Sequence, residues 1–242
     1  MPFVSVILPV MNEVENIRKI HEALVPILMS NSSKFEIIFV VDPSSDGTED
    51  LIKSISQVDD RVIGIYLADR AGQTEAIRAG YDSALGDLLI TMDADFQDPP
   101  QLIPEMIMAW KSGALIVNTA RGSRKSDTFI YRNLTGFGYK TLSWLTSGRI
   151  KNHVGDFRLI DRTILPLLQL YKDPHPFWRG ITAMGGIRSE TLKFDRPPRI
   201  LGSTKYSYRI GSPLIALRGL ASFSTKPLQF LQTLGFAALA LS

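Results

Sequence analysis

The chain of 242 residues contains no cysteine, which excludes a disulfide framework and any thiolate-ligated metal and fits a reducing compartment. No internal repeat and no low-complexity segment interrupts it, so repeat arrays and disordered linkers are not expected. The first apolar run is not followed by G-x-G-x-x-G, which leaves a Rossmann dinucleotide site unsupported. The chain opens directly on a strand-like run, and a cleavable signal peptide is not expected. Net charge is only +3, so charge alone does not mark the whole molecule as a polyanion binder.

What is present is ample apolar content, 45%, enough to bury a core. The first half alternates strand-like and helix-like segments. Val4 to Pro9, Phe35 to Val41, Val62 to Leu67, Asp87 to Met92 and Leu115 to Thr119 read as strands. Asn12 to Met29, Asp46 to Ile55, Gln73 to Ala84 and Pro100 to Trp110 read as helices, with Asp46 and Glu49 at capping-box spacing. Strands of five to seven residues alternating with longer helices imply βαβ units and a mostly parallel sheet, an α/β, Rossmann-like architecture. The second half is less regular. Phe129 to Thr146 reads as a helix, Asp156 to Ile160 and Ile187 to Phe194 as strands, and Tyr206 to Phe223 as an amphipathic helical stretch.

In parallel sheets ligands bind beyond the carboxyl ends of the strands. Those ends carry Asn12 and Glu13, Asp42, Asp69 and Arg70, and Asp93-Ala94-Asp95. The stretch LLITMDADFQDPPQ ends an apolar strand in a knot of carboxylates that repel one another unless a cation joins them. Asp93 and Asp95, two apart, suit one hard divalent cation, Mg²⁺ or Mn²⁺, bridging to a diphosphate. Gln97 would add a neutral ligand or hold a metal-bound water, and Asp98 is expected to cap the following helix. The segment VVDPSSDGT ends the second strand at Asp42, placed to accept from a base or ribose, with Ser44, Ser45 and Asp46 opening a helix; a plain βα turn explains it equally well. Trp144 and Trp178 are expected in the core.

Charge is uneven toward the C-terminus. Between Arg188 and Lys226 there are eight Lys/Arg against two acids, which suggests a polyanion: phosphate, anionic lipid or nucleic acid. From Leu228 to Ser242 the chain carries no charge. Fifteen residues fall short of a bilayer span, so this is either an interfacial helix or, the favoured reading, the start of a membrane segment.

With P-x-x-N-E at Pro9 to Glu13, D-x-S-x-D-G-T at Asp42 to Thr48, AGQTEAIRAG at Ala71 to Gly80, MDADFQDPP, GDFRLIDR, FWRG, RPPRILGSTKYSY and SFSTKPLQ in this order, the chain resembles the family 2 glycosyltransferases of the GT-A fold. Within them it is similar to the polyisoprenyl-phosphate glycosyltransferases. The resemblance implies that Pro9, Asn12, Glu13, Asp42, Ser44, Asp69, Gln73 and Asp93 hold the nucleotide, and that Asp93, Asp95 and Gln97 hold the metal. It places Arg199, Ser203 and Lys205 beside the phosphates and assigns a candidate base to Asp156, with His153 second. The chain departs from the pattern at Pro43, where glycine is usual, and at His153, where relatives commonly carry Asp.

The resemblance further implies an inverting transfer of a hexose, with UDP-glucose as the expected donor, to a polyprenyl phosphate. A Pro/Gly/Ser-rich loop near Pro198 to Ser203 marks a soft boundary, and three regions are expected: a catalytic domain over 1–200, a basic juxtamembrane stretch over 201–227 and a membrane segment from 228. The catalytic domain is expected on the cytoplasmic face of a membrane. No nucleic-acid partner is expected, and a homo-oligomer remains open. Three rivals stand beside this reading. A sugar-phosphate nucleotidyltransferase would want a glycine-rich basic loop where the chain has VMNEVEN. A phosphatase would carry D-x-D on its first strand. A scaffold that binds nucleotide-sugar without turning it over would follow from the change at His153.

Overall fold

The computed structural model describes residues 1–121, 154–170, 178, 186–195 and 232. Along the chain these form β1 (Phe3–Val10), α1 (Val14–Asn31), β2 (Lys34–Val41), α2 (Thr48–Ser56), β3 (Val62–Tyr66), α3 (Gln73–Ser83) and β4 (Leu88–Thr91). Then come α4 (Ile103–Lys111), β5 (Ile116–Arg121), β6 (Val154–Asp161), α5 (Leu165–Gln169) and β7 (Ser189–Phe194). The seven strands make one sheet in the order β3-β2-β1-β4-β6-β5-β7.

The inner strands are apolar at nearly every position because both faces are covered. Val4, Val6, Leu8 and Val10 of β1 face one core layer with Ile17, Ile20, Leu24 and Leu28 of α1, Ile52 of α2 and Met106 of α4. Ile7 of β1, Ile38 and Val40 of β2 and Leu89 of β4 face the opposite layer with Ile77 and Tyr81 of α3 and Leu165 of α5. This is an αβα sandwich whose two apolar layers follow the period of two along each strand.

β1 pairs in parallel with both β2 and β4, and β2 in parallel with β3. From β1 the chain moves outward to β2 and β3 and then returns to the other side as β4, which makes the β1/β4 border the topological switch point. β6 runs antiparallel between β4 and β5, and β7 is parallel to β5. The sheet is therefore mixed: the expected parallel run holds from β3 to β4, and the reversal at β6 is a tertiary pairing that strand-helix alternation does not encode.

One local expectation is corrected. Asp46 and Glu49 do not form a capping box: helix α2 starts after Gly47, whose φ of 90° is left-handed, and Glu49 accepts instead from the Ser44 amide at 3.3 Å. Pro99 stands at the cap position of the turn over Pro100–Leu102 that leads into α4, and the Asp98 side chain accepts from the Asp93 amide. The expected helices over 129–146 and 206–223, the boundary near 198–203 and the three-region division beyond it fall outside the described residues, as does the apolar tail apart from Gln232. Among the described residues no helix is long and apolar enough to cross a membrane.

Candidate active site

The loops after β1 and β2 are laced together. The Asn12 amide donates to Ser44 Oγ at 3.0 Å, and Asn12 Oδ1 accepts from the Ser45 amide at 2.7 Å. The Glu13 amide donates to Thr48 Oγ1 at 2.9 Å, while the Glu13 carboxylate accepts from Asn16 Nδ2 at 2.6 Å. Asp46 accepts from the amides of Val14 and Thr48 and from the Thr48 hydroxyl. Burial opposes ionisation of Asp46, but these hydrogen bonds outweigh it and hold its carboxyl below the ordinary value. Asn12 itself adopts a left-handed φ of 53°, which an asparagine tolerates better than most residues. The P-x-x-N-E and D-x-S-x-D-G-T segments are thus two halves of one rigid rim.

The third rim segment is fastened by Asp42. Its buried carboxylate accepts from the amides of Ala71 and Gly72 at 3.1 and 3.0 Å, pulling the entrance of α3 against the end of β2. Gly72 has φ 86° and ψ 169°, a conformation essentially reserved for glycine. A carboxylate has about four lone-pair directions, so this anchoring leaves acceptor capacity for a ligand. Asp69 and Arg70, just before the turn, are exposed on the rim. Pro9 lies inside β1, opposite Val40.

Gln73 at the start of α3 reaches across the switch point and donates from Nε2 to Asp93 Oδ1 at 2.9 Å. The acidic loop after β4 is folded on itself. The Asp93 amide donates to Asp98 Oδ2 at 3.0 Å, and the Gln97 amide to Asp95 Oδ1 at 3.0 Å. Phe96 between them is left-handed at φ 62°, an uncommon conformation for a bulky residue that tends to occur at functional sites. Asp98 is therefore the internal clasp of this loop.

The strand β6 supplies the remaining wall. Its ladder with β4 pairs Leu88 with Asp161 and Thr91 with Arg158. The ladder ends there, with Asp93 two residues beyond Thr91 and Asp156 two residues before Arg158, so both acids come to the same edge of the sheet. The side chain of Asp156 accepts from Arg158 Nη2 at 2.9 Å. Beneath them Thr91 Oγ1 donates to the hydroxyl of Tyr81 at 2.8 Å, and complete burial pushes the Tyr81 hydroxyl up. His153, Arg199, Ser203 and Lys205 lie outside the described residues. Trp178 is in the core, donating from Nε1 to Thr74 O at 3.1 Å and meeting Tyr81 edge to face.

Among the described residues no group of three or more His, Cys, Asp or Glu is arranged to hold a metal ion. Two carboxylates and an amide on one short loop still match what Mg²⁺ and Mn²⁺ take from a protein when a diphosphate and water complete the shell. The donor set of Asp93, Asp95 and Gln97 fits such an ion in its chemistry. Arg158 was not singled out from the sequence; the only signal was an arginine two residues after the acid in GDFR, and its burial shows only in the sheet.

Residues 5–167 match the family described as glycosyl transferase family 2. An uncharacterized glycosyltransferase of Bacillus subtilis, YkcC, is 35% identical over 93% of this chain and 69% of its own length. A prophage bactoprenol glucosyl transferase homolog of Escherichia coli is 32% identical over 96% of this chain and 76% of its own. The bactoprenol glucosyl transferase of Shigella phage SfV is 30% identical over 99% and 78%. Among solved structures, glucosyl-3-phosphoglycerate synthase of Mycobacterium tuberculosis, bound to Mn²⁺, UDP and phosphoglyceric acid, superposes with TM-score 0.65. It covers 91% of this chain and 77% of the other at 16% identity. The same enzyme with Mg²⁺ and UDP gives 0.61 at 17% identity, with 91% of this chain and 78% of that one covered. At such identity the likeness is one of fold.

Proposed function

The chain belongs to glycosyl transferase family 2 and carries the α/β GT-A fold, and from that premise we propose that it moves a hexose, with UDP-glucose as the donor, onto a polyprenyl phosphate with inversion at the anomeric carbon. One observation supports this reading above the others: the acidic end of β4 stands at the switch point, with Asp156 near the adjoining end of β6 and the Asp42-anchored rim on the other side. A nucleotide laid across the laced rim would meet Asn12, Glu13, Ser44 and Asp42, with Gln73 and Asp93 beneath its diphosphate. Asp93, Asp95 and Gln97 would hold the divalent ion, which when bound supplies positive charge to the departing diphosphate. The names of the phage and prophage relatives support a lipid acceptor and a glucosyl group.

The acceptor's chemistry sets what Asp156 must do. A phosphate monoester with a second pKa near 6 is already largely dianionic at neutral pH. It needs less help from a base than a sugar hydroxyl, where general base catalysis is worth roughly 10²–10⁴-fold. In this reading Asp156 chiefly orients the attacking phosphate opposite the leaving group. A carboxylate alone would repel that phosphate, so the reading assigns Arg199, Ser203 and Lys205 to it as counter-charges and donors. The basic stretch and apolar tail would hold the enzyme on the cytoplasmic face of a membrane, where the lipid phosphate is met.

The test is a panel of nucleotide-sugars incubated with polyprenyl phosphate in membranes, with and without EDTA. Lipid-linked hexose formed from UDP-glucose and abolished by EDTA is expected. Hydrolysis or transfer only to water-soluble acceptors would refute the lipid assignment, and binding without turnover would favour a non-catalytic scaffold.

A further inference from the structure

Arg158 is 1% exposed, an expensive place for a guanidinium in a sheet that needs only apolar packing there. It occupies the middle of a polar row that crosses four strands. Thr91 of β4 stands opposite Arg158 on one side, Asn118 of β5 on the other, and Thr191 of β7 stands opposite Asn118. Asn118 Oδ1 and Thr191 Oγ1 are buried without a hydrogen-bond partner. Stability does not explain such a row, because each buried atom left without a partner loses its hydration and gains no hydrogen bond in return.

What Arg158 does hold is the end of β6. Its Nη2 donates to Gly155 O and to Asp156 Oδ1, both at 2.9 Å, and its Nε donates to Asp156 O at 3.4 Å. The register between β5 and β6 slips between Asn118 and Ala120, beside this stretch. Where a bulge interrupts a ladder, backbone pairing no longer fixes which way the strand presents its side chains. The guanidinium replaces that lost constraint, gripping two carbonyls and one carboxylate oxygen of consecutive residues.

We propose that Arg158 is the positioning residue of this site: from inside the sheet it fixes the Asp156 carboxylate at the rim and acts on transfer through Asp156. The inference rests on the transferase reading for its catalytic half alone. Arg158 would touch neither nucleotide nor lipid, so its removal should lower kcat and leave donor binding in place.

The experiment is a double-mutant cycle of Arg158→Met and Asp156→Asn in the full chain, with Arg158→Lys as a variant that keeps the charge and folds if the neutral one does not. Transfer, UDP affinity in Mn²⁺ and thermal unfolding are read for each. Either single change is expected to lower kcat on the order of 10²-fold, with UDP affinity held within about threefold. Adding Arg158→Met to Asp156→Asn should cost less than about threefold more. Arg158→Lys should keep the midpoint of unfolding near that of the wild type while losing about tenfold in kcat, because a point charge cannot make the forked grip. The double variant should unfold at a higher temperature than Arg158→Met alone, since it removes the carboxylate charge that the guanidinium had balanced. Losses in kcat that multiply, or Asp156→Asn turning over at the wild-type rate, would overturn the proposal. An inactive wild type would sink the transferase reading instead, and the thermal cycle would still decide whether the two residues act as a unit: additive losses would overturn that too.

Discussion

At the scale of single residues, the site is built from carboxylates whose first duty is to the protein. Asp42 holds two amides of the α3 entrance, Asp46 joins two loops, and Asp98 closes the loop that carries Asp93 and Asp95. Each uses charge-assisted hydrogen bonds to backbone N–H groups, roughly twice as strong as neutral ones. Asp98 gives the sharpest prediction of this kind. Asp98→Ala would remove that acceptor from the Asp93 amide and release a loop held in a strained turn at Phe96, weakening UDP affinity in Mn²⁺ by about tenfold, in keeping with the loss of a charge-assisted hydrogen bond. Asp98→Asn keeps an acceptor oxygen and should retain most of the affinity. Calorimetric titration of both variants decides it; equal affinity for Asp98→Ala and wild type would show that the clasp is dispensable.

At the scale of elements, α3 matters most, because its first turn carries Gln73 to Asp93. The helix lies unusually close to the sheet: a Cβ added at Gly80 would collide with the side chain of Ile7 and crowd Val40. Gly80→Ala is therefore expected to destabilise by about 1–3 kcal/mol, the usual result of overpacking a filled core, even though alanine favours helices. Thermal unfolding checks the sign, and a stabilised variant would show that the helix can ride outward freely. Much of this level was legible in advance. The boundaries of β1 to β4 fall within two residues of those expected, since apolar runs and helical spacing are written locally. The capping of α2 was not, because Gly47 takes the left-handed conformation and Glu49 turns to Ser44. Nor was the reversal of β6, or with it the burial of Arg158, because both depend on which strand lies alongside.

At the scale of the whole molecule, electrostatics also fastens parts far from the rim. Asp59 accepts both nitrogens Nε and Nη2 of Arg61, at 2.7 and 2.8 Å, and meets His21 of α1 at 3.0 Å. The Arg61 guanidinium first of all, with His21 adding to it against the cost of burial, holds the Asp59 carboxyl far below its ordinary value of 3.8. A folded-state value below the unfolded one means that the stabilisation is complete above about pH 5 and is lost as the pH falls through the unfolded value toward the folded one. The difference in unfolding temperature between wild type and Asp59→Asn should thus be fully present at about pH 5 and shrink below about pH 4. A difference that grew on acidification would contradict the assignment.

The site as a whole was legible as a sequence of motifs and not as a geometry. That Asp93 and Asp95 share an edge with Asp42 follows from parallel strands; that Asp156 joins them follows only from the β4–β6 register. The account turns on whether the tip of β4 grips a divalent ion that carries a nucleoside diphosphate. Calorimetric titration of UDP into the purified chain, with Mn²⁺ and then with EDTA, for wild type and for Asp95→Asn, tests this most directly. Tight binding that needs Mn²⁺ in the wild type and disappears in Asp95→Asn is the predicted result; UDP binding equally well in EDTA, or undiminished in the variant, would contradict it.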